Sequence, residues 1–393
     1  MSIAALPAEL IRAIALPLDK NDILSVLPVH RSFAPFRPYL FRSVKLHISA
    51  SWFHEDREEF NAAEAEKYTR DCFFRTLDQF PNFASSITSL HLIIDPQSLI
   101  TSETRRHGKF DLTTRTIELL EACTNLKELH LERPAGTGAG VVPLSILDAI
   151  PTTLKILRIT QTPLCSLGVS RLLSRLTSLA ELDLRASYPI ETLGTRLQPS
   201  TSLARIRLPE HDLNLYPFLA DILDASPNLV SLDGPPGGLK MVSRSPHPRL
   251  KRLGASGKSR DRGDGCLDAI VKVLESSRGL EELDTLIATG EAVCYRFDAS
   301  NDVIQALPSG IKSLTLTGES TFSPTSLITA LESGAWSSLS TLKITRFGHV
   351  SPMLRSQLEA ENLERVEELC RAGGVELKWA DIWGRAKNSV NHF

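Results

Sequence analysis

A short phrase recurs along most of this chain and limits what it can become. "TNLKELHLE" at Thr124, "TTLKILRIT" at Thr152, "TSLAELDLR" at Thr177 and "TSLARIRLP" at Thr201 share the form L-x-x-L-x-L. Looser copies begin at Ser85, Pro227, Pro248, Arg278, Ser309 and Ser337, and a degenerate last one at Gly373. Successive copies start roughly 21–39 residues apart, most of them 24–31, the range of a solenoid built from one small unit per repeat. Apolar residues two apart, such as Leu129 and Leu131, Leu182 and Leu184, or Leu314 and Leu316, place both side chains on one face of a strand. The leading leucine of each copy fills the bend before that strand. Between copies lie "TTRTIELLEA", "PLSILDAI", "GVSRLLSRL", "PFLADILDA", "CLDAIVKVLE" and "PTSLITALE", whose apolar residues recur at three- and four-residue steps. Each therefore presents one apolar helical stripe. No single strand–helix unit buries that stripe alone, whereas stacked neighbours bury a continuous core. The expected architecture is an α/β solenoid with a parallel inner sheet and outer helices.

The phrase and its spacing resemble the leucine-rich repeat family over roughly Ser85 to Ala380. The chain departs from the family where an asparagine or cysteine often closes the bend; Pro134, Gln161 and Ser187 stand there instead. In each repeat strand the residues alternating with the leucines are expected on the concave face. That rule selects Glu128, His130 and Glu132; Ile156, Arg158 and Thr160; Glu181, Asp183 and Arg185; Arg205 and Arg207; Arg252; Glu282 and Asp284; and Lys343. Of these, Glu128, His130, Arg158, Asp183, Arg185, Arg205, Arg207 and Arg252 are the candidates for contacting a target. An arginine-rich face suits carboxylate, phosphate or aromatic partners. Equally, an inner face is polar anyway and pairs opposite charges on neighbouring strands.

The chain opens with "LPAELIRAIALPLDKNDILSVL" from Leu6 to Leu27, apolar but interrupted at Glu9, Arg12, Asp19, Lys20 and Asp22. It lacks the basic leader of a secretion signal and the run of about 20 apolar residues that a bilayer requires. Leu6, Leu10, Ile11, Ile14 and Leu18 fit one helical face, with Pro7 in the first turn. Asp22 is placed to cap a second helix carrying Ile23, Leu24 and Leu27, with Val29 and Phe33 beyond Pro28. Val44, Leu46 and Ile48 then alternate as in a strand.

The spacing L-P-x-E-L-I-x-x-I from Leu6, D-I-L at Asp22, V-x-R-x-F at Val29 and L-F-R-x-V at Leu40 resembles the F-box over about Ile3 to Leu46. With leucine-rich repeats following, it is similar to a large fungal group of F-box proteins. It departs from that pattern at Pro17, Pro28 and Phe33. The resemblance implies docking to a Skp-family adaptor and, through it, a cullin-based ubiquitin ligase. Carried over position by position, the resemblance implies Leu6, Pro7, Leu10, Ile11, Ile14, Leu24 and Val29 as candidates for the adaptor face or the small core beneath it. The other reading is that these seven pack a helical cap on the open end of the solenoid.

The expected organisation is an F-box-like helical domain over 1–47, a linker helix over 48–84, the solenoid over 85–380 and a tail over 381–393. The linker, Phe53 to Phe80, has a charged front and a back carrying Phe73, Phe74, Leu77 and Phe80.

The remaining features point away from catalysis and from nucleic acid. A formal net charge of −2 over 393 residues gives no long-range pull on nucleic acid or anionic lipid. Six scattered cysteines without a C-x-x-C pair read as reduced thiols of a cytoplasmic or nuclear protein. The ten histidines do not pair at metal-ligand spacing along the sequence, and neither H-E-x-x-H nor G-x-S-x-G occurs. The G-K-S within "GASGKSRDRGDG" (Gly254 to Gly265) has Arg252 where a phosphate-cradling loop needs glycine, so a solvated loop is expected. No cofactor, metal or enzymatic activity is expected. The functional reading is a substrate-recognition subunit of a Skp–cullin–F-box ubiquitin ligase, binding an unidentified protein target; the alternative is a repeat scaffold outside the ubiquitin pathway.

Overall fold

The computed structural model describes residues 41–48, 57–95, 112–134, 142–161, 166–184, 202–208, 222–234, 247–257, 265–287, 304–318, 324–346 and 357–381. The chain divides into two units, Met1–Asp183 and Leu184–Phe393.

The first unit contains β1 (Ser43–Ile48), β2 (Ser89–Ile94), β3 (Glu128–Glu132), β4 (Ile156–Thr160) and β5 (Glu181–Asp183). They lie side by side in chain order, all parallel. Among the described residues its α-helices are α1 (Arg57–Gln79), α2 (Leu112–Ala122), α3 (Leu144–Asp148) and α4 (Ser166–Arg175), with a 3-10 turn at Pro81–Ser86. Leu90, Leu92, Leu129, Leu131 and Leu157 on the strands are fully buried, as are Leu120 and Ile146 on the helices. The leucine side of each strand and the apolar stripe of each helix thus share one core, as the repeat spacing predicts.

The recurring phrase has a backbone cause. The leading leucine closes a turn by donating its N–H three residues back: Leu126 to Cys123, Leu154 to Pro151, Leu179 to Leu176. The next two residues then enter the sheet through a shared acceptor. Thr88 O takes the N–H groups of Lys127 and Glu128, Lys127 O those of Lys155 and Ile156, and Lys155 O those of Ala180 and Glu181. One carbonyl per repeat fixes the register of the next, so no strand can slip without losing both bonds.

The sheet begins upstream of Ser85, because β1 pairs with β2 from Ser43↔Ser89 to Ile48↔Ile94. Helix α1 carries buried Phe73 and Phe74, whereas Phe80 is 52% exposed. Phe41, before β1, stacks on Phe83 at 5.0 Å and meets Phe73 at 6.1 Å, so aromatic packing seats α1 beside β1. Arg115 on α2 pairs with Asp78 of α1 and lies over the Phe74 ring at 5.7 Å.

The second unit holds β6 (Arg205–Arg207), β7 (Ser231–Gly234), β8 (Arg252–Gly257), β9 (Glu282–Ile287), β10 (Ser313–Gly318), β11 (Thr341–Arg346) and β12 (Glu376–Asp381). These too are parallel neighbours in chain order. Among the described residues its helices include α5 (Gly265–Ser276), α6 (Pro324–Glu332) and α7 (Gln357–Ala372), with helical turns also at 222–224 and 304–306. Helices α6 and α7 end alike. Gly334 and Gly374 adopt φ of 65° and 69°, and the following N–H groups of Ala335 and Val375 reach back to Ala330 O and Cys370 O. This C-cap needs a left-handed residue, which glycine adopts without a Cβ penalty.

The start of "GASGKSRDRGDG" is strand, where the sequence leads one to expect a loop. Gly254 to Gly257 continue β8 in register with β9, from Gly254↔Asp284 to Gly257↔Ile287. Lys258 to Asp264 of that motif, and residues 1–40 of the helical domain expected over 1–47, lie outside the described residues.

Candidate functional site on the open face of the sheet

The side chains that alternate with the buried leucines form rows across neighbouring strands, because parallel register brings equivalent repeat positions together. In the first unit the middle row reads Lys45, His91, His130, Arg158, Asp183. The row beside it reads Ser43, Ser89, Glu128, Ile156, Glu181, and on the other side stand His47, Ile93, Glu132 and Thr160.

Arg158 reaches sideways to carboxylates on both neighbouring strands, pairing with Glu128 of β3 and, at 3.6 Å, with Glu181 of β5. His130 stacks face to face on His91, ring centroids 4.1 Å apart and planes 14° from parallel. His91 Nε2 lies 2.7 Å from Glu132 Oε2, and His130 Nε2 lies 2.8 Å from the Thr160 hydroxyl. Partial burial lowers the His130 pKa, helped by the neighbouring His91 and Arg158 and opposed by Glu132 and Asp183. The ring is therefore neutral near pH 7, with a lone pair on one nitrogen. Counted over the strand residues of β1 to β5, this face carries the carboxylates Glu128, Glu132, Glu181 and Asp183 against the fixed cations Lys45 and Arg158.

In the second unit Arg207 lies 3.4 Å from Asp233 and Arg252 lies 3.6 Å from Glu282. Gly254 stands next to Asp233, where a Cβ would fall 2.0 Å from the Asp233 carboxylate oxygen. The glycine leaves the space that this carboxylate occupies.

Most of the face residues chosen from the sequence therefore stand on the open face: Glu128, His130, Glu132, Ile156, Arg158 and Thr160 half-buried, and Arg205, Arg252 and Lys343 exposed. Asp183 differs. It is fully buried, so it acts on the row through its charge rather than by touching a visitor. Arg185 lies outside the described residues, as do Leu6, Pro7, Leu10, Ile11, Ile14, Leu24 and Val29. The alternation of the clearer repeats does not reach His91 or Lys45. The signal for His91 was present: aligning "SSITSLHLI" with "TNLKELHLE" puts it at the position of His130. Among the described residues, no helix is long and apolar enough to cross a membrane.

No family model matches the chain, and no curated protein matches it. Among solved structures it is similar to a leucine-rich repeat-containing protein of Legionella pneumophila, at 15% identity and a TM-score of 0.32, over 87% of this chain and 92% of that one.

Proposed function

We propose that this chain is the substrate-recognition subunit of a Skp–cullin–F-box ubiquitin ligase, its opening helices holding the adaptor and its repeat strands holding the target. The recognition half rests on one observation: a polar row, Lys45, His91, His130 and Arg158, set on consecutive strands above fully buried leucines. Strands locked by shared carbonyl acceptors hold such side chains at fixed spacing, which lowers the ordering cost of binding. Unlike a flexible loop, a row of this kind is arranged before the partner arrives. The adaptor half rests on the resemblance of residues 3–46 to the F-box. In this reading the chain performs no bond chemistry. A recruited conjugating enzyme supplies that, and the chain raises the local concentration of substrate lysines around it.

The test is co-purification of the full chain with a Skp-family adaptor. Replacing Leu10→Asp together with Ile14→Asp puts two charges on an apolar docking face and is expected to abolish adaptor capture while circular dichroism keeps the repeat signal. Adaptor binding that survives the double change removes the docking assignment and leaves a repeat scaffold outside the ubiquitin pathway.

A further inference from the structure

We propose that His91, His130 and Glu132 form a binding site for a divalent transition-metal ion, zinc above all. The sheet register makes the site. His91 on β2 and His130 on β3 are direct parallel partners, and Glu132 follows His130 by two residues, on the same face of β3. The three donate one ligand atom each, and these atoms all lie within 4.8 Å of one another. A tetrahedral ion with bonds of about 2.0–2.1 Å sets its ligand atoms roughly 3.4 Å apart. Side-chain rotation covers that difference with the strands unmoved. The nearly parallel rings must turn so that their lone pairs converge, and the terminal histidine torsion is broad enough to allow it.

The donor set selects the ion. Two imidazoles and one carboxylate suit zinc and its neighbours, whereas calcium and magnesium take oxygen ligands. Binding replaces the His91–Glu132 and His130–Thr160 hydrogen bonds, so both nitrogens must give up any proton they carry. The surroundings favour a cation. Four strand carboxylates face two fixed cations across β1 to β5, and Arg158 is already matched by Glu128 and Glu181. With three protein ligands, a fourth position remains for water, the Thr160 hydroxyl or a donor from a bound partner. This site stands on geometry within the first unit and does not depend on adaptor docking.

The experiment uses the full chain, stripped with a chelator and freed of it. Titration with Co2+ is followed by its visible absorption, and Zn2+ affinity by calorimetry. The expected result is one ion per chain, a four-coordinate cobalt spectrum without a thiolate charge-transfer band, and displacement of cobalt by zinc. His91→Ala and the isosteric Glu132→Gln are each expected to weaken binding by at least about tenfold. Shifts of imidazole resonances in the wild-type chain on adding zinc provide a readout that needs no variant. No saturable binding at micromolar protein and metal, unchanged affinity in both variants, or a thiolate band would overturn the assignment, and each of these outcomes leaves the adaptor question untouched.

Discussion

His247 is 2% exposed, and among the described residues neither of its ring nitrogens has a hydrogen-bond partner. Burial lowers its pKa, against a smaller opposing effect of the Asp224 charge. A histidine whose folded pKa lies below its unfolded value of about 6.5 binds fewer protons when folded. Its stability contribution is complete above the unfolded value and is lost as pH falls from there through the folded one. A leucine of similar volume removes the unpaired nitrogens and the titration together. His247→Leu is thus expected to raise stability by about 1 kcal/mol near pH 7 and to flatten the decline between pH 7 and 5, as read from urea midpoints across that range. An unchanged slope would show that His247 does not titrate on unfolding. Nothing in the sequence marks this histidine, since its burial follows from opening the turn that Leu250 closes three residues later. That His91 and His130 meet was hidden for a related reason. They stand 39 residues apart in sequence, and only the pairing of β2 with β3 makes them neighbours.

At the scale of the element, the repeats were legible because one phrase carries three physical demands at once: a turn, a strand and a buried row. Within each unit the aligned phrases became strands in the register their alignment implies, as with Glu128↔Ile156 and Ser313↔Thr341. Helical periodicity likewise located α2, α5 and α6 to within a few residues. The glycine-rich stretch at Gly254 misled, because glycine there serves packing rather than a turn. With Gly254→Ala, the new methyl enters the space of the Asp233 carboxylate, 2.0 Å away, and this carboxylate, the partner of Arg207, must shift. The expected cost is about 1–2 kcal/mol. In an Asp233→Ala background the same change should cost almost nothing, so a double-mutant cycle measured by chemical denaturation isolates the clash. Additive effects would mean that the carboxylate moves freely and the glycine has another role.

Across the whole molecule, sequence and structure agree on parallel strands alternating with helices and on a leucine core. What the sequence could not place was the charge balance of each row, because pairing depends on which strands adjoin. Along the chain the arginines gather between Arg158 and Arg252 with carboxylates beside them, which leaves a cationic face and a charge-paired face equally open. Arg158 in the first unit, and Arg207 and Arg252 in the second, each face carboxylates on adjacent strands, so the open face within each unit carries paired charges rather than a bare cationic surface. Under the proposed function a target would have to exchange these pairs, which favours specificity over raw affinity. Recognition by this face is checked by reversing its charge and comparing a helix control. Arg158→Glu with Arg207→Glu changes the open face, and Arg365→Glu changes α7, where Arg365 pairs with Glu332 and Glu368. Proteins co-purifying with each full-length variant are quantified by mass spectrometry beside the adaptor. The open-face variant is expected to keep the adaptor and lose the target proteins, with the α7 variant like wild type; targets retained by the first and lost by the second would place recognition on the helices instead.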